Sequence, residues 1–251
     1  MSSVKIKNKI AIEKMRIAGR KLAIIMVEIE QFIKEGVSTF EVDFIIENKM
    51  NGAGLKTVCK GYAGYRYATC ISLNDVVVHG IPSKKTILKS GDFVKIDVVG
   101  GYKGYCVDMA RGYCVGKVVP IVKKMVCVVQ KALDVAISKI FPGVYVHDIS
   151  FTIQNEVERE GFGVVRDFAG HGIGKQIHEA PEIPNYGDPG TGLVLREGMT
   201  LAIEPMITQK GYEIKVMGDG WTAKTVDGGF AAHVEDTVLV TKSGVEIFTR
   251  A

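Results

Sequence analysis

This 251-residue chain is poor in tryptophan and proline, with one Trp and seven Pro, and its five cysteines are odd in number. Cys59, Cys70, Cys106, Cys114 and Cys127 contain no C-x-x-C pair. That argues against a disulfide framework or a four-cysteine zinc site, and for reduced thiols in a reducing compartment. No stretch reaches the roughly 18 uninterrupted apolar residues of a membrane span. The basic start M-S-S-V-K-I-K-N-K-I is followed by no apolar signal core, so a cytoplasmic protein without a membrane partner is expected. Neither sign of charge dominates: 32 Lys and Arg stand against 28 Asp and Glu, a net charge of +4. The basic residues are dispersed, whereas a nucleic-acid groove needs a concentrated stripe. The serine-hydrolase elbow G-x-S-x-G is missing. The run G-H-G-I-G from Gly170 to Gly174 is no dinucleotide loop, because Pro181 and Pro184 interrupt the helix such a loop requires. Gln176 stands where a phosphate loop needs Ser or Thr.

What is present is a repeated phrase. Ile87 to Asp97 reads I-L-K-S-G-D-F-V-K-I-D and Val194 to Glu204 reads V-L-R-E-G-M-T-L-A-I-E, 107 residues apart. The same offset relates Gly36-Val37 to Gly143-Val144, Ile46 to Ile153, Asn48 to Asn155 and Gly54 to Gly161. One matched phrase could arise by chance; a constant offset over several segments points to an internal duplication. Helical periodicity predicts helices over Ala11–Lys34 and Lys123–Ile140. Ser38 to Glu41 forms a capping box opening a helix to about Met50, and its counterpart in the second half runs to about Glu160. Strands are predicted at Thr69–Val78, Phe93–Val99, Gly112–Val115, Leu201–Ile207 and Thr237–Thr241. Strand clusters apart from helix pairs favour an α+β fold. We expect one compact domain, residues 1–251, with halves at roughly 11–115 and 120–241.

Acidic residues end the repeated phrase. Asp97 and Asp108 flank a probable hairpin, V-V-G-G-Y-K-G-Y-C, so pairing would turn both carboxylates to one cavity. Glu204 ends the matching strand, Glu235 precedes T-V-L-V, and His171 lies between glycines that permit close backbone approach. Singly, each has an ordinary alternative as a turn, cap or solvated residue. Together they make a strongly anionic set, whose repulsion and desolvation cost divalent cations would relieve. Two ions bridged by carboxylates are the arrangement to expect.

The phrase H-G-I-P-S from His79, the acids Asp97 and Asp108, G-H-G-I-G with the following His178-Glu179, Glu204-Pro205 and Glu235 together resemble type I methionine aminopeptidases. The resemblance spans nearly the whole chain. It implies the pita-bread fold, in which two pseudo-symmetric halves with a central antiparallel sheet are flanked by helices around a dinuclear centre. It further implies removal of initiator methionine from nascent polypeptides, with a small second residue preferred. By this resemblance Asp97, Asp108, His171, Glu204 and Glu235 hold two divalent ions, and cobalt, manganese, iron or zinc all suit such donors. Glu204 shuttles the proton, His178 polarises the carbonyl and His79 contacts the scissile amide. Cys59, Tyr62, Tyr65, Cys70, Ile177 and Trp221, with His79 and His178, match the positions that bind the methionine.

The chain departs from the family's common pattern. V-D-M-A surrounds Asp108 where G-D-T-S is frequent, so Met109 and Ala110 replace two hydroxyl residues. A-A-H-V-E-D surrounds Glu235 where S-A-Q-x-E-H is frequent, so Ala231, His233 and Asp236 differ; Ile177 replaces a frequent Phe. Residues around the ligands tune metals, so these changes bear on rate, metal preference and any accessory monovalent cation. The interval from His178 to Glu204 leaves no room for the helical insertion of type II enzymes. Two rivals remain: a proline-directed peptidase of the same fold, and a non-catalytic peptide-binding relative. A monomer is the family's habit; ribosome association would suit the substrate, although no motif demonstrates it. His147, at a helix start, is expected at the surface.

Overall fold

A computed structural model describes residues 4–250. The first half opens on helix α1 (Lys9–Glu28), capped by the Asn8 side chain accepting from Ala11 N at 2.9 Å. Its apolar stripe, including Met15, Ala18 and Leu22, is fully buried. The helix predicted through Lys34 stops earlier and tightens into a 3-10 turn over Ile29–Phe32, a common ending for a last turn. Helix α2 (Thr39–Gly52) starts at the predicted capping box: Ser38 accepts from Glu41 N, and Glu41 accepts from Ser38 N at 2.8 Å. The second half supplies α3 (Pro120–Ser138) and α4 (Val146–Glu158). Pro120 at the first turn of α3 gives up no intrahelical hydrogen bond.

Both helix pairs pack on one face of a nine-stranded sheet whose pairs are all antiparallel. Its order runs Lys56–Thr57, Phe93–Tyr102, Tyr105–Cys114, Glu235–Thr241, Thr200–Ile203, Ala169–Gly172, Glu179–Pro184. Thr69–Leu73 joins the second of these and Gly244–Ile247 the fourth. The halves meet where Tyr105–Cys114 pairs with Glu235–Thr241. The 107-residue repeat is visible in the backbone. The isolated bridge Ser38–Ile87 reappears as Tyr145–Val194. Gly36 N donates to Leu88 O at 2.9 Å, and Gly143 N to Leu195 O at 2.9 Å. Gly36 and Gly143 both take positive φ, 88° and 100°, which is why glycine stands at both positions.

Strand alternation sorts the two faces. Ile96, Val98, Val107 and Met109 join the core under α1 and α2, and Leu201, Ile203 and Val238 join the one with α3 and α4. The residues between them point to the opposite face. Two predicted strands are interrupted. Thr69–Val78 breaks at Asn74, which has φ of 49°. Leu201–Ile207 breaks at Glu204-Pro205: Pro205 cannot donate to the ladder, and the chain passes to a three-stranded sheet in which Met206–Thr208 pairs with Ala231–His233.

Candidate metal centre and peptide pocket

Four neighbouring strands, and the end of a fifth, each deliver one candidate ligand to the face opposite the helices. Asp97 pairs with Ala110 and Asp108 with Val99, so the two carboxylates lie diagonally on one face, as the hairpin reading expects. Glu235 also pairs with Ala110, on that residue's other side. Because Asp236 pairs with Ile203, Glu204 emerges beside Glu235. His171 pairs with Ala202 on the next strand, and its Nε2 lies 3.5 Å from Glu204 Oε1. Its Nδ1 is 2.9 Å from the Gly172 carbonyl. A carbonyl only accepts, so Nδ1 carries the proton and the Nε2 lone pair faces the carboxylates, the tautomer a metal ligand needs.

The main chain of these candidate ligands is pinned. Asp108 N donates to Thr237 Oγ1, and that hydroxyl donates back to Asp108 O, both at 2.8 Å. Asn185 Nδ2 donates to Glu204 O at 3.0 Å, and Arg111 Nη1 to Glu235 O at 2.6 Å. Asp236 is buried but turned to the opposite face, where Arg111 and Arg250 both bond it at 2.7 Å. Lys95, fully buried, donates to the Asn74 carbonyl at 3.0 Å, and burial lowers its pKa to about 7.

Electrostatics favours cations here. Burial pushes Asp97 up to about 6, against the hydrogen bond from Asp108. Burial, and then the neighbouring carboxylates, raise Asp108, Glu204 and Glu235 well above the usual range. Asp108 Oδ1, Glu235 Oε1 and His233 Nε2 are buried with no hydrogen-bond partner. Orphaned acceptors beside desolvated carboxylates are the environment that bound cations compensate. The donor atoms of Asp108, His171 and Glu235 lie within 4.8 Å of one another, and so do those of Glu204, His233 and Glu235. This donor set fits divalent metal. Sequence reading placed His233 among the changed surroundings and missed that it faces the centre. The available signal was its spacing, two residues before Glu235 in extended chain.

Cys59, Tyr62, Tyr65, Cys70, Ile177 and Trp221 line a single cavity of about 100 Å³, with His79, His178, Asp97 and Asp108 at its inner end. That volume is far below the ~300 Å³ of drug-sized sites and suits one side chain. Tyr65 packs edge-on to Trp221 with ring centroids 4.9 Å apart. His79 holds a left-handed backbone, φ 58°, tolerated by histidine more than by most residues. Gly80 follows because a Cβ there would come 2.2 Å from Ile71 O. Burial, then His178, lower His79 to about 4, and the same causes lower His171 to about 4. His178 Nδ1 lies 2.9 Å from the Tyr62 hydroxyl, and burial lowers its pKa as well. Glu179 fixes the loop carrying Ile177 and His178. It accepts from Lys175 N and Gln176 N and pairs with Lys7 at 2.7 Å. Neither Glu179 nor Lys7 was assigned a role from sequence. Outside this cavity a groove of about 490 Å³, bordered by Lys5, Asp167, Phe168 and Glu182, leads to His171 and His178. His147 lies away from the site, bonded to Thr191 at 2.7 Å.

Residues 13–242 match metallopeptidase family M24. The methionine aminopeptidase of Escherichia coli strain K12 is 42% identical over 248 residues, covering 98% of this chain and 94% of that protein. The chain belongs to metallopeptidase family M24. Within the family its fold follows the methionine aminopeptidases: the crystal structure from Thermotoga maritima superposes with a TM-score of 0.98 at 45% identity, covering 99% and 100% of the two chains. An Xaa-Pro dipeptidase from Bacillus anthracis is more distant, with a TM-score of 0.79 at 26% identity, and this chain covers 62% of it. The pita-bread fold and its two pseudo-symmetric halves are therefore shared with the family, and so is the use of divalent metal. Among the described residues no helix is long and apolar enough to cross a membrane.

Proposed function

We propose that this chain, a metal-dependent aminopeptidase that removes amino-terminal methionine, does so with two divalent ions held by Asp97, Asp108, His171, Glu204 and Glu235. The observation carrying this reading is the set of five ligands from four adjacent strands and the end of a fifth, two of them with orphaned oxygens. When bound, the ions supply Lewis acidity and bring a water molecule's pKa toward neutrality. The methionine side chain occupies the cavity, where the thiols of Cys59 and Cys70 and the rings of Tyr65 and Trp221 give it a polarizable lining. Glu204 takes the proton from the attacking water and passes it to the departing amine. The Tyr62 hydroxyl lies 2.9 Å from His178 Nδ1; with the hydroxyl as donor, the ring keeps its proton on Nε2, where it stabilises the oxyanion. His79 orients the scissile amide. The small size of the preferred second residue follows from closure around these groups.

Manganese, iron, cobalt and zinc all suit carboxylate oxygens with imidazole, and availability selects among them. The substrates we propose are nascent polypeptide termini in the cytoplasm, processed by a monomer whose residues 1–251 form one catalytic unit, in reach of the ribosome. Calorimetric titration of metal-stripped protein with Mn2+ tests the two-ion reading. Two equivalents are expected, with Glu204→Gln lowering kcat while peptide binding persists. Full activity after one equivalent, with no second binding event, would overturn it.

A further inference from the structure

His233 has no part in the scheme above, yet its side chain is 2% exposed and its Nε2 has no hydrogen-bond partner. Nε2 lies 3.7 Å from Glu204 Oε2, while His171 Nε2 lies 3.5 Å from Oε1 of the same carboxylate. Two imidazoles thus bracket Glu204, one at each oxygen. The backbone explains the aim. His233 pairs with Met206, two residues beyond Glu204. It precedes Glu235 by two residues in nearly continuous strand, so both side chains leave on one side. At 3.7 Å the gap is too wide for a hydrogen bond. It suits two donors that each sit ~2.1 Å from a shared ion. A ring nitrogen left unsatisfied in the interior is costly, and coordination removes that cost.

We propose that His233 Nε2 is a sixth protein ligand, bound to the ion that Glu204 and Glu235 hold. The inference rests on the two-ion reading. It brings a second imidazole to the centre: His233 lies with Glu204 and Glu235, and His171 with Asp108 and Glu235. A borderline ion such as Co2+ or Zn2+ gains from the added nitrogen donor, which an oxygen-seeking ion such as Mn2+ needs less.

Cobalt loading gives the test. Metal-stripped protein saturated with Co2+ is examined by proton NMR in H2O and D2O for exchangeable, paramagnetically shifted imidazole N–H signals. Two are expected. His171→Ala removes one, His233→Gln removes the other, and His233→Gln weakens one Co2+ binding event by about 10- to 100-fold in calorimetry. A single shifted signal in the unaltered protein overturns the assignment, and this count requires no variant to fold. Survival of both signals in His233→Gln overturns it too. Failure to bind Co2+ at all would overturn the two-ion reading along with it, whereas binding with one signal overturns only the role of His233.

Discussion

Glu179 is a sharp point at which to perturb this molecule, because one carboxylate ties the amino-terminal segment to the loop that carries His178. Its side chain is 2% exposed and that of its partner Lys7 is 5% exposed, with 2.7 Å between charged atoms. Removing one member of a buried pair strands the other charge and costs about 3–5 kcal/mol. In a chain of this size each kcal/mol moves Tm by about 2–4 °C, so Glu179→Ala should lower Tm by roughly 6–20 °C. Glu28→Ala is the control. Its partner Lys49 lies at 2.6 Å, but both side chains are substantially exposed, and such pairs contribute about 0–1 kcal/mol. Lys7→Met with Glu179→Leu should recover most of the loss, since no charge then remains buried. Burial opposes ionisation of Glu179, but Lys7 outweighs it and holds the carboxyl below its ordinary 4.5. The stabilisation is therefore complete above about pH 4.5 for as long as Lys7, which burial holds below its ordinary 10.5, stays protonated, and it disappears as pH falls through the lowered Glu179 value. Differential scanning calorimetry against pH reads both effects. If Glu179→Ala and Glu28→Ala shift Tm by the same one or two degrees, the pair is not the anchor described.

Three further outcomes follow from separate features. Tyr62→Phe removes the hydrogen-bond partner of His178 Nδ1 and should lower kcat about 5- to 30-fold, the equivalent of roughly 1–2 kcal/mol; steady-state kinetics showing only a raised KM would move Tyr62 from positioning His178 to binding substrate. Gly80→Ala forces a Cβ to 2.2 Å from Ile71 O and should cost more than about 3 kcal/mol, as strained or overpacked backbone does; an unchanged denaturation midpoint would contradict the packing. In the native protein only the exposed Cys114 and Cys127 should react promptly with a thiol reagent. Burial pushes Cys59 and Cys70 well above the usual thiol range and Cys106 up to about 12; rapid titration of all five thiols would show the core to be open.

The site was legible in sequence where chemistry coincided with local pattern. The Asp97–Asp108 hairpin was readable because Lys103-Gly104 supplies the turn between two β-rich runs, and the capping box at Ser38 announced α2. What stayed hidden depends on tertiary contact. Ala169–Gly172 carries His171 but reads A-G-H-G, without one β-branched residue. Its glycine is required because a Cβ at Gly172 would meet Ala180 O at 2.2 Å. Glu179–Pro184 contains Pro181 and Pro184, which ordinarily argue against a strand. The aim of His233 depends on a three-residue strand pairing with Met206–Thr208, a partner fixed only by the fold. The unannounced Lys7–Glu179 pair is equally nonlocal, its members 172 positions apart in sequence.

Competition among three peptides tests the central claim most directly. Metal-stripped protein is resupplied with Mn2+, Co2+ or Fe2+ and offered Met-Ala-Ser, Leu-Ala-Ser and an Xaa-Pro peptide, with free amino acid measured with and without chelator. The account predicts metal-dependent release of methionine from Met-Ala-Ser, abolished by chelator, with Leu-Ala-Ser at least about tenfold slower because its side chain fits the cavity less well. Preferential cleavage of the Xaa-Pro peptide, or peptide binding without turnover under every metal, would contradict it.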